Sequence, residues 1–358
     1  MFESIPMPSY SDIDLAQTTK SIMIVYLYIS FLFQSLTFAL LFYLVHFRTP
    51  NAMAEYRRLL QVNIITAYLT EISFMLWLPN ALPTNYHIIS NGLIGQFGHA
   101  ANYYSIFVVG TFMCSHFVAI LGCVFYQITI IWPIKRHNVR VVVEFLLASD
   151  IRFHLIFICL SLVICFIISY YVINNIDVDF DPVKRLNINV PQDRILYNVF
   201  LQNSTNAIYI DFSRIGFLLT LFTCALVFFV SINIFGFVYY QFWSKRPTTT
   251  LKKTQQLQRS LHVCILVQTT SLTAFYMMPL ELLLTARTLQ MPYAFTVCIV
   301  AVASILTYSP VNHWILLFFV RHFRSETRKI IGRLSFSRNK VNTIFVQERE
   351  IRTLSFAN

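Results

Sequence analysis

Seven stretches of this chain are long and apolar enough to cross a bilayer, which limits the folds open to it more than any other feature. They are Ser21–His46, Leu59–Leu82, Tyr103–Ile131, Phe153–Asn174, Ile215–Trp243, Leu261–Leu284 and Tyr293–Phe319. A hydrocarbon core about 30 Å thick takes roughly 20 predominantly apolar residues at helical rise. Lipid offers no partner to a bare N–H or C=O, so each stretch must pair its own backbone and form a helix. Pro279 and Pro310 fall inside the sixth and seventh stretches and are expected to kink them, with neighbouring helices satisfying the freed carbonyls. The expected fold is an all-α membrane protein, a seven-transmembrane helix bundle over 21–319 with a tail at each end, 1–20 and 320–358.

Orientation follows from the positive charge. The loops 47–58, 132–152 and 244–260 and the tail 320–358 hold 21 of the 27 Lys and Arg; the other connections and the N-terminal tail hold 6. No Lys or Arg lies within a span. The basic side is expected in the cytoplasm, which puts the N-terminus outside. The net charge of +11 therefore reads as membrane orientation, with lipid as the first partner and no nucleic acid. The first twenty residues are polar and acidic with no apolar core, so no cleavable leader is expected and the first span is its own insertion signal. All seven cysteines sit in apolar runs, which implies no disulfide framework.

The connection 175–214 carries the chain's one Asn-x-Ser/Thr sequon, at Asn203, on the side that the charge rule places outside. Asp177, Asp179 and Asp181 share that loop. Their spacing resembles part of a calcium loop without its Gly or distal Glu, so a solvated acidic loop is expected and no metal. Past the seventh span, VRHFRSETRKIIGRLSF sets Phe323, Ile330, Ile331 and Leu334 at helical spacing among arginines. That pattern predicts a short amphipathic helix on the cytoplasmic leaflet.

Two carboxylates lie inside spans. Glu71 falls near the middle of the second, where no basic residue can pair with it; it is either a ligand contact or a protonated acid in a helix–helix hydrogen bond. Glu281, two residues past Pro279, is a second ligand candidate or a solvated helix end. His116 and His313 are deep enough for interhelical bonds. Tyr103, Tyr104, Phe107, Phe275, Tyr276, Tyr293 and Phe295 suit an interfacial belt or the wall of an apolar cavity; Asn102, Tyr103 and Tyr104 read as interfacial. No span contains an Asp, the histidines are scattered, and there is no phosphate loop or nucleophile elbow. A zinc hydrolase fails on ligands, no cofactor is expected, and an enzyme is excluded.

The marks of rhodopsin-type receptors are missing: the third span ends Phe125-Tyr126-Gln127, and the loop 175–214 lacks a cysteine to tie it to that span. Other residues, in order, are Tyr56-Arg57-Arg58-Leu59-Leu60, Pro79 and Pro83 followed by Gly92, Gln258-Arg259-Ser260-Leu261 with Gln268 and Pro279, Ser309-Pro310, and Arg321-His322-Phe323-Arg324. In these the chain resembles the nematode serpentine chemoreceptors of the superfamily containing classes h, i and str, over about residues 20 to 330. The usual His near the seventh-span Pro is absent and the third span ends atypically, so no activation switch is assigned to Tyr126 or Gln127.

The resemblance implies a chemoreceptor in the plasma membrane, on the cilium of a sensory neuron, that binds a small, often volatile ligand and couples to a heterotrimeric G protein. The cavity is expected among the outer halves of the second, third, fifth, sixth and seventh helices. Its candidate residues are Glu71, Tyr103, Tyr104, Phe107, His116, Phe275, Tyr276 and Glu281. Lys135, Arg136, Lys252, Lys253, Arg259, Arg321 and Arg324 are the G-protein contact candidates. Two rivals fit less well. A seven-span ligand-gated channel would place its N-terminus inside, against the charge asymmetry, and a secondary transporter would show internal repeats and more midplane charge.

Overall fold

The computed structural model describes residues 10–49, 54–82, 87–131, 156–164, 166–167, 170, 177–180, 207–211, 216–244, 252–288 and 294–332. Most of these are helical. In chain order, α1 covers Tyr10–Phe47, α2 Ala54–Trp77 and α3 His99–Ile131. α4 covers 156–164, within the fourth expected span. α5 is Gly216–Ser244. α6 runs through Lys252–Leu272, a π-helical turn Thr273–Met277, and Met278–Thr288. α7 is Ala294–Phe319, and α8 covers 321–332.

Among the described residues, five helices have the length and apolar composition to cross a membrane, over Ser21–Phe47, Tyr56–Trp77, His99–Tyr126, Arg259–Leu283 and Thr296–Phe319. α5 contributes a shorter apolar segment, Thr223–Tyr239. α1 starts at Tyr10, inside the segment expected as an N-terminal tail. α2 corrects the expected second span, which was to continue to Leu82. The helix ends at Trp77 because Pro79 disfavours helical geometry in the residue before it. Leu78 takes a positive φ of 42°, and the chain turns into a strand.

The loops around the helix ends build a sheet that the apolar pattern does not announce. β1 (Pro79–Leu82), β2 (His87–Ser90), β3 (Asp177–Asp179) and β4 (Ala207–Asp211) form one antiparallel sheet in the order β1-β2-β4-β3. The register pairs Pro79 with Ser90, Ile88 with Ile208 and Asp177 with Asp211. Asp177 and Asp179, expected in a solvated loop, are thus strand residues. The sheet fastens the α2–α3 connection to the α4–α5 connection by backbone hydrogen bonds, a tie made without a cysteine. Gly92 lies where this assembly meets α2: a Cβ there would fall 2.2 Å from the Leu76 carbonyl oxygen, so only glycine fits.

In the bundle α2 packs along α3, α1 along α7, α7 on α6, and α6 on α5. α4 is peripheral, its side chains largely exposed (Phe166, just beyond it, is 72% exposed). Two apolar clusters fill the interior. One lies toward the sheet and includes Leu27, Phe74, Trp77, Ile120, Leu272, Tyr276 and Tyr308. The other lies toward the far face and includes Leu41, Leu44, Tyr56, Leu60, Cys123, Cys264, Leu316 and Phe323. Lipid is as apolar as these side chains, so their contribution is close packing and the exclusion of alternatives, not transfer from water.

The far face is tied as firmly as the sheet face. Ser260 of α6 donates to the Phe319 carbonyl at 2.6 Å and accepts the Arg321 amide at 3.2 Å, capping the junction of α7 and α8. His322 of α8 bonds the Arg48 carbonyl at the end of α1, and Phe323 is fully buried. The predicted amphipathic helix therefore forms, anchored by Phe323. Along it the exposed Lys329 bonds the half-buried Glu326 at 2.6 Å and holds that carboxyl below its usual range.

Candidate functional site

Between the two apolar clusters lies a belt of buried polar side chains. On α1, Gln34 donates its amide to Ser309 Oγ on α7 at 2.6 Å. Ser309 in turn hydrogen-bonds Glu71 of α2. Because Ser309 accepts from Gln34, its own proton is free to go to the carboxyl. One turn further along α7, Asn312 accepts from Gln268 of α6 at 2.7 Å and donates to Asn63 of α2 at 3.3 Å. His116 of α3 bonds Thr66 of α2 at 3.2 Å. The Thr66 hydroxyl already donates to the Val62 carbonyl at 2.8 Å, so His116 Nδ1 carries the ring proton.

The belt thus joins α1, α2, α3, α6 and α7 through side chains alone, and none of them is Lys or Arg. Several of its polar atoms are buried with no protein partner: Gln34 Oε1, Glu71 Oε2, His116 Nε2 and the hydroxyls of Tyr276 and Tyr308. His313, next to Phe38 and the Ile64 backbone, has neither ring nitrogen in hydrogen-bonding geometry. Buried polar groups left unpaired in hydrocarbon are costly, so this belt is where the bundle has most to gain from water, a ligand or rearrangement.

A second polar set joins α5 to α6 at the π-helical turn. Asn233 Oδ1 accepts from Thr269 at 2.6 Å and Thr270 at 3.0 Å, and Asn233 Nδ2 donates to Thr273 at 3.2 Å. The turn ends two residues before Pro279, so the irregularity expected at the proline is taken up as one wide turn ahead of it. Pro310 lies within α7, which continues through it.

The sequence candidates separate into three groups. Glu71, His116 and Tyr276 converge on the belt: the His116 ring lies 5.4 Å from that of Tyr308, which lies 5.7 Å from Tyr276. Tyr103 and Phe107 pack edge-to-face at 5.1 Å near the sheet, with Tyr103 also 5.9 Å from Phe180. Tyr104 (63% exposed) and Phe275 (37% exposed) lie toward the outside of the bundle. Glu281 Oε1 accepts from Thr223 of α5 at 2.7 Å. Asn102 faces the protein interior. Fully buried, it accepts the Trp77 indole N–H at 2.6 Å and donates to the Ile88 carbonyl at 3.0 Å. Gln34 and Asn63 went unnoticed in the sequence, although a lone amide amid an apolar run is the signal for them.

Of the proposed inner contacts, Arg321 and Arg324 are exposed on α8 and Arg259 is half-buried on α6. Lys252 and Lys253 begin α6. Lys135, Arg136 and the sequon Asn203 lie outside the described residues. No group of three or more His, Cys, Asp or Glu that could hold a metal occurs among the described residues.

Residues 16–333 match the family described as serpentine type 7TM GPCR chemoreceptor Srh. The chain belongs to the Srh family. The match covers most of the sequence and resolves the class left open by the resemblance, since Srh lies within the str-type superfamily. Srh proteins are multi-pass membrane chemoreceptors, not enzymes. No curated protein matches the chain. The Srh resemblance residues have structural work here: Gln268 bridges to Asn312, Ser309 joins Gln34 to Glu71, Ser260 caps the α7–α8 junction, and Gly92 admits α2 against the sheet.

Proposed function

We propose that this Srh protein binds a small, largely apolar molecule from outside the cell and signals to a heterotrimeric G protein on the basic face. The reading places it in the plasma membrane, on the cilium of a sensory neuron, with its N-terminus outside. The observation that carries it beyond family membership is the buried belt. Gln34–Ser309–Glu71 and Asn63–Asn312–Gln268 connect four helices near mid-bundle through geometry-dependent side-chain hydrogen bonds. A ligand shifts such a bundle only by favouring one arrangement over another, and a belt with unpaired members offers discrete alternatives. Glu71, His116 and Tyr276 would sense the shift, with Tyr103 and Phe107 nearer the entrance. Arg259, Arg321 and Arg324, together with Lys135, Arg136, Lys252 and Lys253, would meet the G protein.

The test is expression of the full chain with a G-protein reporter, screened against volatile and secreted small molecules. A response is expected that is lost in Glu71→Gln and kept in Asp179→Asn. An unaltered response in Glu71→Gln returns that residue to packing, and ligand-evoked current without a G protein favours a channel.

A further inference from the structure

Gln34 of α1, Glu71 of α2 and Ser309 of α7 meet at one hydroxyl. Ser309 Oγ accepts from Gln34 Nε2 at 2.6 Å and is also the hydrogen-bonding neighbour of Glu71. All three are buried, none more than 5% exposed. Each of the two longer side chains is held through one polar atom and has a second one left over. Gln34 Oε1 and Glu71 Oε2 are buried with no partner in the protein. An amide oxygen only accepts, and a carboxyl oxygen accepts unless it carries the proton, so the place calls for a donor. No Lys or Arg lies within the seven apolar stretches to supply one. His313 lies one turn past Ser309 on α7, and neither of its nitrogens bonds Glu71.

Two features suit the place to a guest molecule. The first is a set of rings beside it. Phe31 and Phe38 flank Gln34 by three and four residues on α1, and Tyr68 stands three residues before Glu71 on α2. Those spacings put neighbours on one face of a helix. The Tyr68 ring stacks on Phe31 at 6.2 Å and on Phe38 at 4.1 Å, and all three residues are half-buried. Ring faces attract a cation and also take hydrocarbon. The second feature is Pro310, the residue after Ser309. It has no N–H for the Leu306 carbonyl, so α7 is one backbone bond short beside Ser309 and yields there at least cost.

We propose that Gln34, Glu71 and Ser309 form the binding site for the amino group of a small aliphatic amine. With no base opposite it, a carboxyl at this depth is carried as the acid. The amine arrives as the neutral base, which hydrocarbon admits far more readily than an ion. At the site the Glu71 O–H bond breaks and a new N–H bond forms. R–NH2 and the acid become R–NH3+ and a carboxylate, with no change in net charge. Of the three ammonium N–H groups, one stays on Glu71 and one goes to Gln34 Oε1. Such charge-assisted bonds are roughly twice as strong as neutral ones. An inorganic cation would have to shed its water and send the carboxyl proton back through hydrocarbon, so the amine is the better match. Bound there, it ties α1, α2 and α7 through one group. The site rests on the reading of the chain as a receptor for a small, largely apolar molecule, and it names the polar end of that molecule.

The experiment uses the full chain in lipid nanodiscs, with butylamine as the probe at one buffered pH. In infrared difference spectra, butylamine should remove a protonated-carboxyl band and raise carboxylate bands. That change should be absent in Glu71→Gln and present in Glu281→Gln and His313→Asn. In thermal unfolding, butylamine should raise the midpoint progressively with concentration. Butanol of the same chain length, and sodium chloride at equal ionic strength, should not. Gln34→Leu, which takes one acceptor from a charged donor, should weaken amine binding about tenfold. Butanol acting as well as butylamine, or a carboxyl band indifferent to the amine, overturns the site. So does a band lost in Glu281→Gln, or sodium chloride reproducing both signals, which would make the place an alkali-ion site. The spectra of the unaltered chain and of Glu281→Gln decide the matter even where Glu71→Gln or Gln34→Leu fails to fold. Neither signal depends on a G protein. Amine binding without a reporter response keeps the site and sinks the receptor reading; a response to other molecules without amine binding does the reverse.

Discussion

Asn102 joins the Trp77 side chain to the Ile88 backbone, taking the Trp77 indole proton and giving its own to the Ile88 carbonyl. Replacing it with alanine strands a buried indole N–H, which costs on the order of 1–3 kcal/mol. Asn102→Ala should lower the thermal unfolding temperature of the purified chain, and Asn102→Asp, which keeps the acceptor, should lower it less. Equal losses in the two variants would show that the Trp77 bond contributes little. Such a role is hard to read from sequence because it belongs to the partner: next to Tyr103 and Tyr104, an asparagine has the look of a membrane interface. Glu71 was legible because an acid without a basic residue in any span is conspicuous by itself. Gln34 is just as buried and carries no charge to draw attention.

At the scale of elements, helices were legible and the sheet was not. A span declares itself within one window of sequence, whereas β2 and β4 are each four or five residues long and lie on opposite sides of α3 and α4. Nothing in HIIS or AIYID specifies the other. The register is open to test through β3 and β4. Paired residues in an antiparallel ladder have Cα atoms about 4.5–5.5 Å apart, within the span a disulfide bridges. Asp177→Cys with Asp211→Cys should therefore cross-link under mild oxidation, seen by loss of thiol alkylation, and Asp179→Cys with Asp211→Cys should not. Cross-linking of the second pair alone would mean a slipped register. The π-helical turn is a similar case. Pro279 signals an irregularity, but its form depends on Asn233 across the interface with α5. Side-chain hydrogen bonds between membrane helices average about 0.6 kcal/mol and reach about 1.7. Asn233→Leu should cost an amount in that range in detergent unfolding. Combined with Thr269→Val, the loss should be less than the sum of the two, because both remove one bond.

For the whole molecule, the two tied faces constrain how the chain is threaded. α3 has 33 residues and at helical rise is about 50 Å long. It starts beside β2, onto which β4 pairs, with β3 on the outer side of β4, so Asp177 lies back at the face where α3 begins. The helical residues 156–164 fall between Ile131 and Asp177 in the sequence. At the other face Arg48, Ser260, Phe319 and α8 are bonded together, which brings the end of α1, the start of α6 and the end of α7 to one side. The proposed threading alternates between these faces in seven crossings, with the N-terminus on the side of the sheet. On the proposed orientation, which rests on the charge asymmetry, the sheet faces outside, together with the β3–β4 connection that carries Asn203. An epitope tag ahead of Tyr10 should be stained on intact cells, and a tag after Asn358 only after permeabilisation. Asn203→Gln should remove a glycosidase-sensitive mass difference. If the tail tag is stained on intact cells, the threading is inverted. The belt would remain, but the basic face could no longer meet a G protein, and a channel of opposite orientation would become the better reading of the same helices.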